Sequence, residues 1–144
     1  MTITYSTQKE FSSQQVYDLY ASVEWSAYTK DLPKLLQAIS NSSLVISAWN
    51  GGELVGLIRA LSDDETVAYI QDILVKPAYQ GSGIGNRLMS QMLSNFSGIR
   101  QIVLMTDAGV ENAHLHAWYQ SHNFKPYDDL GIAGFAIFNF LVVD

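Results

Sequence analysis

An apolar strand pattern from about Tyr69 to Val75 runs through a short proline-containing link into Gln80-Gly81-Ser82-Gly83-Ile84-Gly85, and a helix pattern begins at once. Leu88, Met89, Met92, Leu93 and Phe96 recur at the i, i+3, i+4, i+7 spacing of an amphipathic helix. Three glycines in five positions at a strand-to-helix junction leave several backbone N–H groups unblocked. The helix N-terminus behind them adds roughly half a positive charge. Such a turn is suited to a phosphate or pyrophosphate. The same glycines also suit a plain chain reversal, so the surrounding pattern has to decide.

That pattern is α/β. Thr2–Tyr5 alternates as a short strand, and Ser12 or Ser13 can cap a helix holding Val16, Leu19, Tyr20 and Val23. Pro33 suits the first turn of a second helix with Leu35, Leu36 and Ile39. Leu44–Trp49 and Leu54–Ala60 read as strands joined through Asn50-Gly51-Gly52, a hairpin signal. A third strand covers Val67–Val75. Beyond the glycine turn and its helix come a strand at Ile99–Thr106, a helix at Asn112–His122 and a closing strand at Ile132–Val142. The order β-α-α-β-β-β-α-β-α-β predicts a mixed sheet flanked by helices, because the hairpin forces antiparallel pairing. At 144 residues the chain is expected to be a single domain spanning 1–144.

Two other nucleotide-binding turns fit poorly. A Rossmann fingerprint requires a third glycine where Asn86 stands, although Asp107 lies some twenty residues on, where a ribose-binding acid is sought. Lys76 to Tyr79 also separate strand from turn, whereas the Rossmann turn follows its strand closely. A P-loop needs Gly-Lys-Ser/Thr, which is absent.

The run QGSGIG, preceded by V-x-P-x-Y, resembles the pyrophosphate-binding motif Q/R-x-x-G-x-G/A of the GNAT superfamily of acetyl-CoA-dependent N-acetyltransferases, with Gln80, Gly83 and Gly85 at the specified positions. The later segment ENAHLHAWYQSHNF is similar to the family's later helix, in which an Asn is followed seven residues on by a Tyr and then by Gly-Phe. Asn112, Tyr119 and Phe124 fill those places, while Asn123 stands where Gly is usual and Leu115 where Ala is usual. Asn also tolerates the left-handed backbone of a helix C-cap. The resemblance covers element order from about Ser43 to Phe138 and implies a GNAT-like, mostly antiparallel mixed sheet.

It also implies chemistry: direct attack of a primary amine on acetyl-CoA through a tetrahedral intermediate. The backbone of Gln80, Gly81, Ser82, Gly83, Ile84 and Gly85 would hold the CoA pyrophosphate. Main-chain groups of Ile73, Leu74 and Val75 would pair with the pantetheine arm as an added strand, and an N–H there would stabilise the oxyanion. Ser82 adds a hydroxyl or is a plain turn residue. Asn112 caps the helix and reaches the cofactor, or only caps it. Tyr119 is the implied general acid, protonated at neutral pH with an ordinary pKa near ~10; its pairing with Trp118 also reads as packing.

For the base, Asp72 is the carboxylate in the strand leading to the turn, and a charge in an apolar strand needs a reason. It either binds the ammonium or orders a proton-accepting water, or it pairs with Arg59 of the neighbouring strand. Tyr69 and Gln71 share the opposite strand face and line the acceptor site if a bulge shifts the alternation. In the connector EWSAYTKDLP, Trp25 and Tyr28 are aromatic walls for an amine or a flap on the core. The acceptor class suggested is a small-molecule amine. A CoA-binding or sensor protein without transferase activity shares the fold and is the alternative.

Composition sets the remaining bounds. Eight Lys and Arg against fourteen Asp and Glu, net −6, argue against nucleic acid. Zero cysteines exclude disulfides, cysteine metal sites and a cysteine nucleophile. His114 and His116, two apart on a helix, point to different faces, and no metal is expected. No signal peptide is read at the start, and Gly131–Val143 is too short to span a bilayer, so a cytoplasmic location without membrane association is expected. The closing strand, apolar on both faces, is either central or an edge buried by a partner, so a homodimer is plausible.

Overall fold

The computed structural model describes residues 1–139 and contains two compact units, Met1–Met105 and the segment from Thr106 onward. The first holds β1 (Ile3–Ser6), α1 (Ser13–Ser22), α2 (Ser26–Thr29), α3 (Leu32–Ser40), β2 (Leu44–Asn50), β3 (Glu53–Ser62), β4 (Val67–Val75), α4 (Ile84–Asn95) and β5 (Gln101–Leu104). The sheet runs β1-β2-β3-β4-β5 in space, with antiparallel neighbours except for the parallel β4–β5 pair. The expected mixed, mostly antiparallel sheet is therefore present. The parallel step is carried by the crossover through α4, which a hairpin cannot replace.

Local sequence explains most boundaries. Ser12 and Gln15 form a reciprocal capping box at α1, each side chain bonding the other's backbone N–H at 3.2 Å. Asp31 accepts from the Lys34 N–H at 3.3 Å and Pro33 sits in the first turn of α3. Gly51, at φ +58°, makes the β2–β3 reversal. The β3–β4 turn is held by one side chain: Asp63 Oδ1 accepts from the backbone N–H groups of Glu65, Thr66 and Val67, and Oδ2 from the Thr66 hydroxyl. These donors, the Thr66 hydroxyl first, hold its pKa well below the usual carboxylate range.

The two faces of the sheet are covered by different helices. Val16, Leu19 and Tyr20 of α1 and Leu35 and Ile39 of α3 cluster with Val45, Leu54, Leu57 and Leu74. On β3, neighbouring residues face opposite ways, and Gly56 meets α4 instead. A Cβ there would stand 3.2 Å from both Ile84 and Leu88, so glycine lets the start of α4 lie against the sheet. Fully buried Leu88, Met89 and Met92 complete that contact, each contributing roughly 1.5–3 kcal/mol of apolar burial.

The second unit contains a 3₁₀ turn (Val110–Asn112), α5 (Ala113–Ser121) and a second 3₁₀ turn (Tyr127–Leu130). The closing strand expected over Ile132–Val142 is not formed by residues 132–139, which carry no strand ladder; the rest of that segment lies outside the described residues. Gly131 at φ +70° and Gly134 interrupt the apolar run there. Among the described residues no helix is long and apolar enough to cross a membrane.

Candidate active site

β5 pairs only with the first part of β4, from Val67↔Gln101 to Ile70↔Leu104. From Gln71 to Val75, β4 has no partner strand on the β5 side among the described residues, while Asp72 to Val75 remain paired to β3 on the other. Ile73, Leu74 and Val75 thus lie along an open edge that ends in the glycine turn. A 3₁₀ turn, Pro77–Tyr79, joins the two.

The turn itself is braced from within. Gln80 donates its side-chain amide to the Val75 carbonyl at 2.9 Å, and Ser82 donates its hydroxyl to the Tyr79 carbonyl at 2.5 Å. Both side chains are therefore committed to holding the loop, which leaves the backbone as the ligand-facing part. Gly81 at φ +81° and Gly83 at φ +90° adopt the left-handed conformation that side chains disfavour, and nothing lies within 4 Å of either Cβ position. Gly83 is the N-cap of α4, with no side chain capping the first turn. Ile84 is buried and anchors that turn, while Gly85 follows it inside the helix. Open space, first-turn N–H groups and a twelve-residue helix behind them are the features that suit such a turn to an anion.

Upstream of the open edge, β4 carries a bulge. Arg59 pairs with Asp72, but the next β3 residue, Ala60, pairs with Ile70, so Gln71 is the extra residue. The bulge turns two adjacent side chains toward one partner. Tyr28 donates its hydroxyl to Asp72 Oδ1 at 2.8 Å and accepts from Gln71 Nε2 at 3.0 Å. Tyr20 donates to Asp72 Oδ2 at 3.0 Å, and Arg59 Nε approaches the same oxygen at 2.6 Å. Arg59 also reaches the Tyr28 oxygen at 3.3 Å and the Ser42 hydroxyl at 3.4 Å.

Asp72 and Arg59 are 3% and 5% exposed, so this is a buried ion pair closed by two phenols. Burial works against the Arg59 charge, but Asp72 overrides it and the guanidinium is held above its ordinary value. Burial and then Asp72 push both phenols up, Tyr20 strongly. Each hydroxyl therefore stays a donor to the carboxylate. Because Tyr28 spends its proton on Asp72, it takes the Gln71 NH₂ group, which frees the carbonyl end of that exposed amide as an acceptor.

Trp25, Tyr28 and Tyr20 pack together with ring centroids 5.3–6.2 Å apart, with Trp25 at 36% exposure. Tyr28 is thus both a member of the buried network and part of the aromatic connector. Tyr69 is half-buried one register step before the bulge.

In the second unit, α5 presents Tyr119, and its end is built as expected from Asn123. That residue takes φ +72°. Its N–H bonds the Gln120 carbonyl at 2.9 Å and the Phe124 N–H bonds the Tyr119 carbonyl at 3.3 Å, a Schellman pair. Phe124 then returns onto the Tyr119 ring, edge-on at 6.2 Å. Burial raises the Tyr119 pKa, opposed by a hydrogen bond from Thr106, so the phenol stays protonated beyond its ordinary range. Trp118 packs on Tyr119 and on His122, whose pKa burial lowers.

Asn123→Ala should cost about 1 kcal/mol, because alanine lacks the short polar side chain by which asparagine tolerates the left-handed backbone, whereas Asn123→Gly, with no Cβ, should cost nothing. Thermal denaturation of the two variants distinguishes them.

Asn112 departs from expectation as a cap: its side chain donates to the Ala108 carbonyl at 3.0 Å and bonds no first-turn N–H. Preceded by a 3₁₀ turn, it has helical-bridge dihedrals rather than the extended ones that aim a capping side chain. His116 bonds the Asp107 carbonyl and His114 is exposed. Among the described residues no cluster of three His, Asp or Glu side chains could hold a metal.

A profile of the Acetyltransferase (GNAT) family matches residues 11–124. The chain belongs to the GNAT acetyltransferase family. Over 115 residues it is 31% identical to a ycf52-like N-acetyltransferase of Prochlorococcus marinus, covering 76% of this chain and 63% of that protein. It is 36% identical over 135 residues to a histone acetyltransferase of Glycine max, covering 83% of this chain and 55% of that protein. The chain thus spans just over half to under two-thirds of the length of these curated relatives. A solved GNAT-family acetyltransferase of Streptococcus pneumoniae shares 32% identity and superposes with a TM-score of 0.80, over 96% of this chain and 98% of the other.

The GNAT frame also holds residues that reading along the sequence passes over. Tyr20 is an apolar-face residue by periodicity, and only its hydroxyl's distance from Asp72 reveals its polar task. Two opposite charges in adjacent apolar strands were the available signal for the Arg59–Asp72 pair.

Proposed function

We propose that the chain transfers an acetyl group from acetyl-CoA to a primary amine, and that the acceptor is a small molecule. The observation that carries this reading is the open edge of β4 running into a glycine turn with an uncapped helix N-terminus. An extended pantetheine arm pairs with Ile73, Leu74 and Val75 as an added strand would. The first-turn N–H groups and the helix dipole hold the pyrophosphate. A backbone N–H of the same edge donates a hydrogen bond to the oxyanion that develops on the acetyl oxygen, a contact commonly worth a few kcal/mol.

The neutral amine nitrogen attacks the acetyl carbon to give a tetrahedral intermediate, and its collapse breaks the carbon–sulfur bond and releases the sulfur as thiolate. Tyr119 gives its proton to that thiolate; family motif, protonation and the rigid end of α5 support the assignment. Trp25, Tyr28, Tyr69 and the Gln71 carbonyl line the acceptor side. Asp72 acts there as a frame for Tyr28 and Gln71, since both its oxygens are engaged and it is sealed from solvent. The substrate ammonium loses one proton to water before the attack, and the nitrogen of the intermediate loses a second as the amide forms. Asn112 reaches the cofactor through its backbone, because its side chain donates to the Ala108 carbonyl.

The soybean relative's name makes a lysine side chain the second acceptor to test. Acetyl-CoA-dependent release of free CoA thiol should be followed over polyamines, arylalkylamines, amino sugars, amino acids and a lysine peptide. The absence of cysteine keeps a thiol-reactive readout free of protein background. Turnover with one class supports transfer and names the acceptor. Binding of acetyl-CoA without turnover across the panel points to the sensor alternative, and no binding overturns the reading.

A further inference from the structure

The glycine turn is tied to the β2–β3 hairpin by a side chain that belongs to neither the glycine motif nor the sheet. Tyr79, immediately before Gln80, donates its hydroxyl to Glu53 Oε1 at 2.8 Å and accepts from Asn50 Nδ2 at 2.9 Å. Asn50 and Glu53 are the paired residues that close the hairpin. Lys76 completes the contact through Glu53 Oε2 at 3.0 Å. These two donors, Lys76 first, hold the Glu53 carboxyl below its ordinary value. On its backbone side, Tyr79 bonds the Lys76 carbonyl through its N–H at 2.8 Å and receives the Ser82 hydroxyl on its own carbonyl. One residue thus joins the hairpin, the 3₁₀ turn and the glycine loop.

We propose that Tyr79 is a positioning residue for the anion cradle, acting through the loop and not by touching the ligand. This rests on the acetyl-CoA reading above. Gly81 and Gly83 give the loop more backbone freedom than any other residues could, and a ligand that orders such a loop loses affinity to that ordering. Fixing the loop's entry to the hairpin removes part of the cost before the ligand arrives. Three features make this a device for the loop. Tyr79 lies next to the motif, its bonds reach a rigid element twenty-six and twenty-nine residues away, and its hydroxyl is not needed to close the hairpin, which Gly51 and the strand ladder already do.

The test is Tyr79→Phe, which keeps the ring and removes only the hydroxyl. Calorimetric titration with CoA should show an affinity loss of about tenfold, the KM for acetyl-CoA should rise by a similar factor, and kcat should hold. Pantetheine, which lacks the pyrophosphate, should bind the variant and the parent equally in an NMR titration. Glu53→Gln, which keeps an acceptor for the phenol, should lose less CoA affinity than Tyr79→Phe. Equal losses for CoA and pantetheine would show a general structural defect and overturn the proposal, as would unchanged CoA affinity in Tyr79→Phe. A parent protein that binds CoA in neither assay overturns the acetyl-CoA reading as well, so the two failures are told apart by the unsubstituted chain.

Discussion

Tyr119→Phe should lower kcat by about 100-fold or more, the range expected when a positioned acid is removed, while acetyl-CoA affinity changes by no more than about twofold. The substitution keeps the ring, so the edge contact with Phe124 and the Schellman end of α5 remain. What is lost is the transferable proton and the bond from Thr106. The pH dependence follows from the direction of the shift. Burial raises the folded-state pKa above the ordinary value near ~10, so the acid form is present throughout neutral pH and is lost only as pH climbs past that value. The parent's kcat should therefore show no alkaline decline assignable to this group below pH about 10. Single-turnover kinetics with the acceptor found in the amine panel give the measurement. Turnover equal to the parent's would remove Tyr119 as the acid.

The largest stability effect is expected at Asp72. Asp72→Ala leaves the Arg59 guanidinium buried without its counter-charge and strips two phenols of their acceptor, and breaking a buried pair in this way costs about 3–5 kcal/mol. Urea denaturation measures the loss. Replacing both partners, Asp72→Leu with Arg59→Met, should recover most of it, because an apolar pair carries no stranded charge. The same variants separate a frame from a base. If Asp72 holds Tyr28 and Gln71 in place, Asp72→Asn should raise the KM for the amine while the acidic limb of the kcat profile survives in the folded fraction. Disappearance of that limb with stability intact would instead make Asp72 the proton acceptor.

How much of this was legible beforehand varies with the range of the interaction. The left-handed Asn123, the Ser12 cap, the Pro33 first turn, the Gly51 reversal and the glycine turn all involve residues within about five positions of one another, where backbone sterics and hydrogen-bond reach act directly. α2 leaves no periodic signal in the sequence, because four residues, Ser26–Thr29, are too few to show a period. The side chain of Asn112 does not cap α5: its NH₂ group donates to the Ala108 carbonyl and its oxygen takes no first-turn N–H. The closing strand was read from apolarity alone, which does not distinguish a strand from an irregular run holding Gly131 and Gly134.

By itself, then, the sequence determined the mixed sheet, the run of elements from β2 to α5 and the glycine turn at the start of α4, because those follow from local periodicity and from glycine's freedom at φ above zero. Only the tertiary structure decided that Asp72 is sealed into an ion pair with Arg59 under Tyr20 and Tyr28, and that a bulge swings Gln71 to the same partner. It alone showed β5 ending at Leu104, which leaves β4 open from Gln71 onward, and Tyr79 tethering the loop to Asn50 and Glu53. Each joins residues 13 to 52 positions apart or depends on where two strands part company. Distances of that kind are set by how the helices and sheet pack, and no spacing along the chain encodes them.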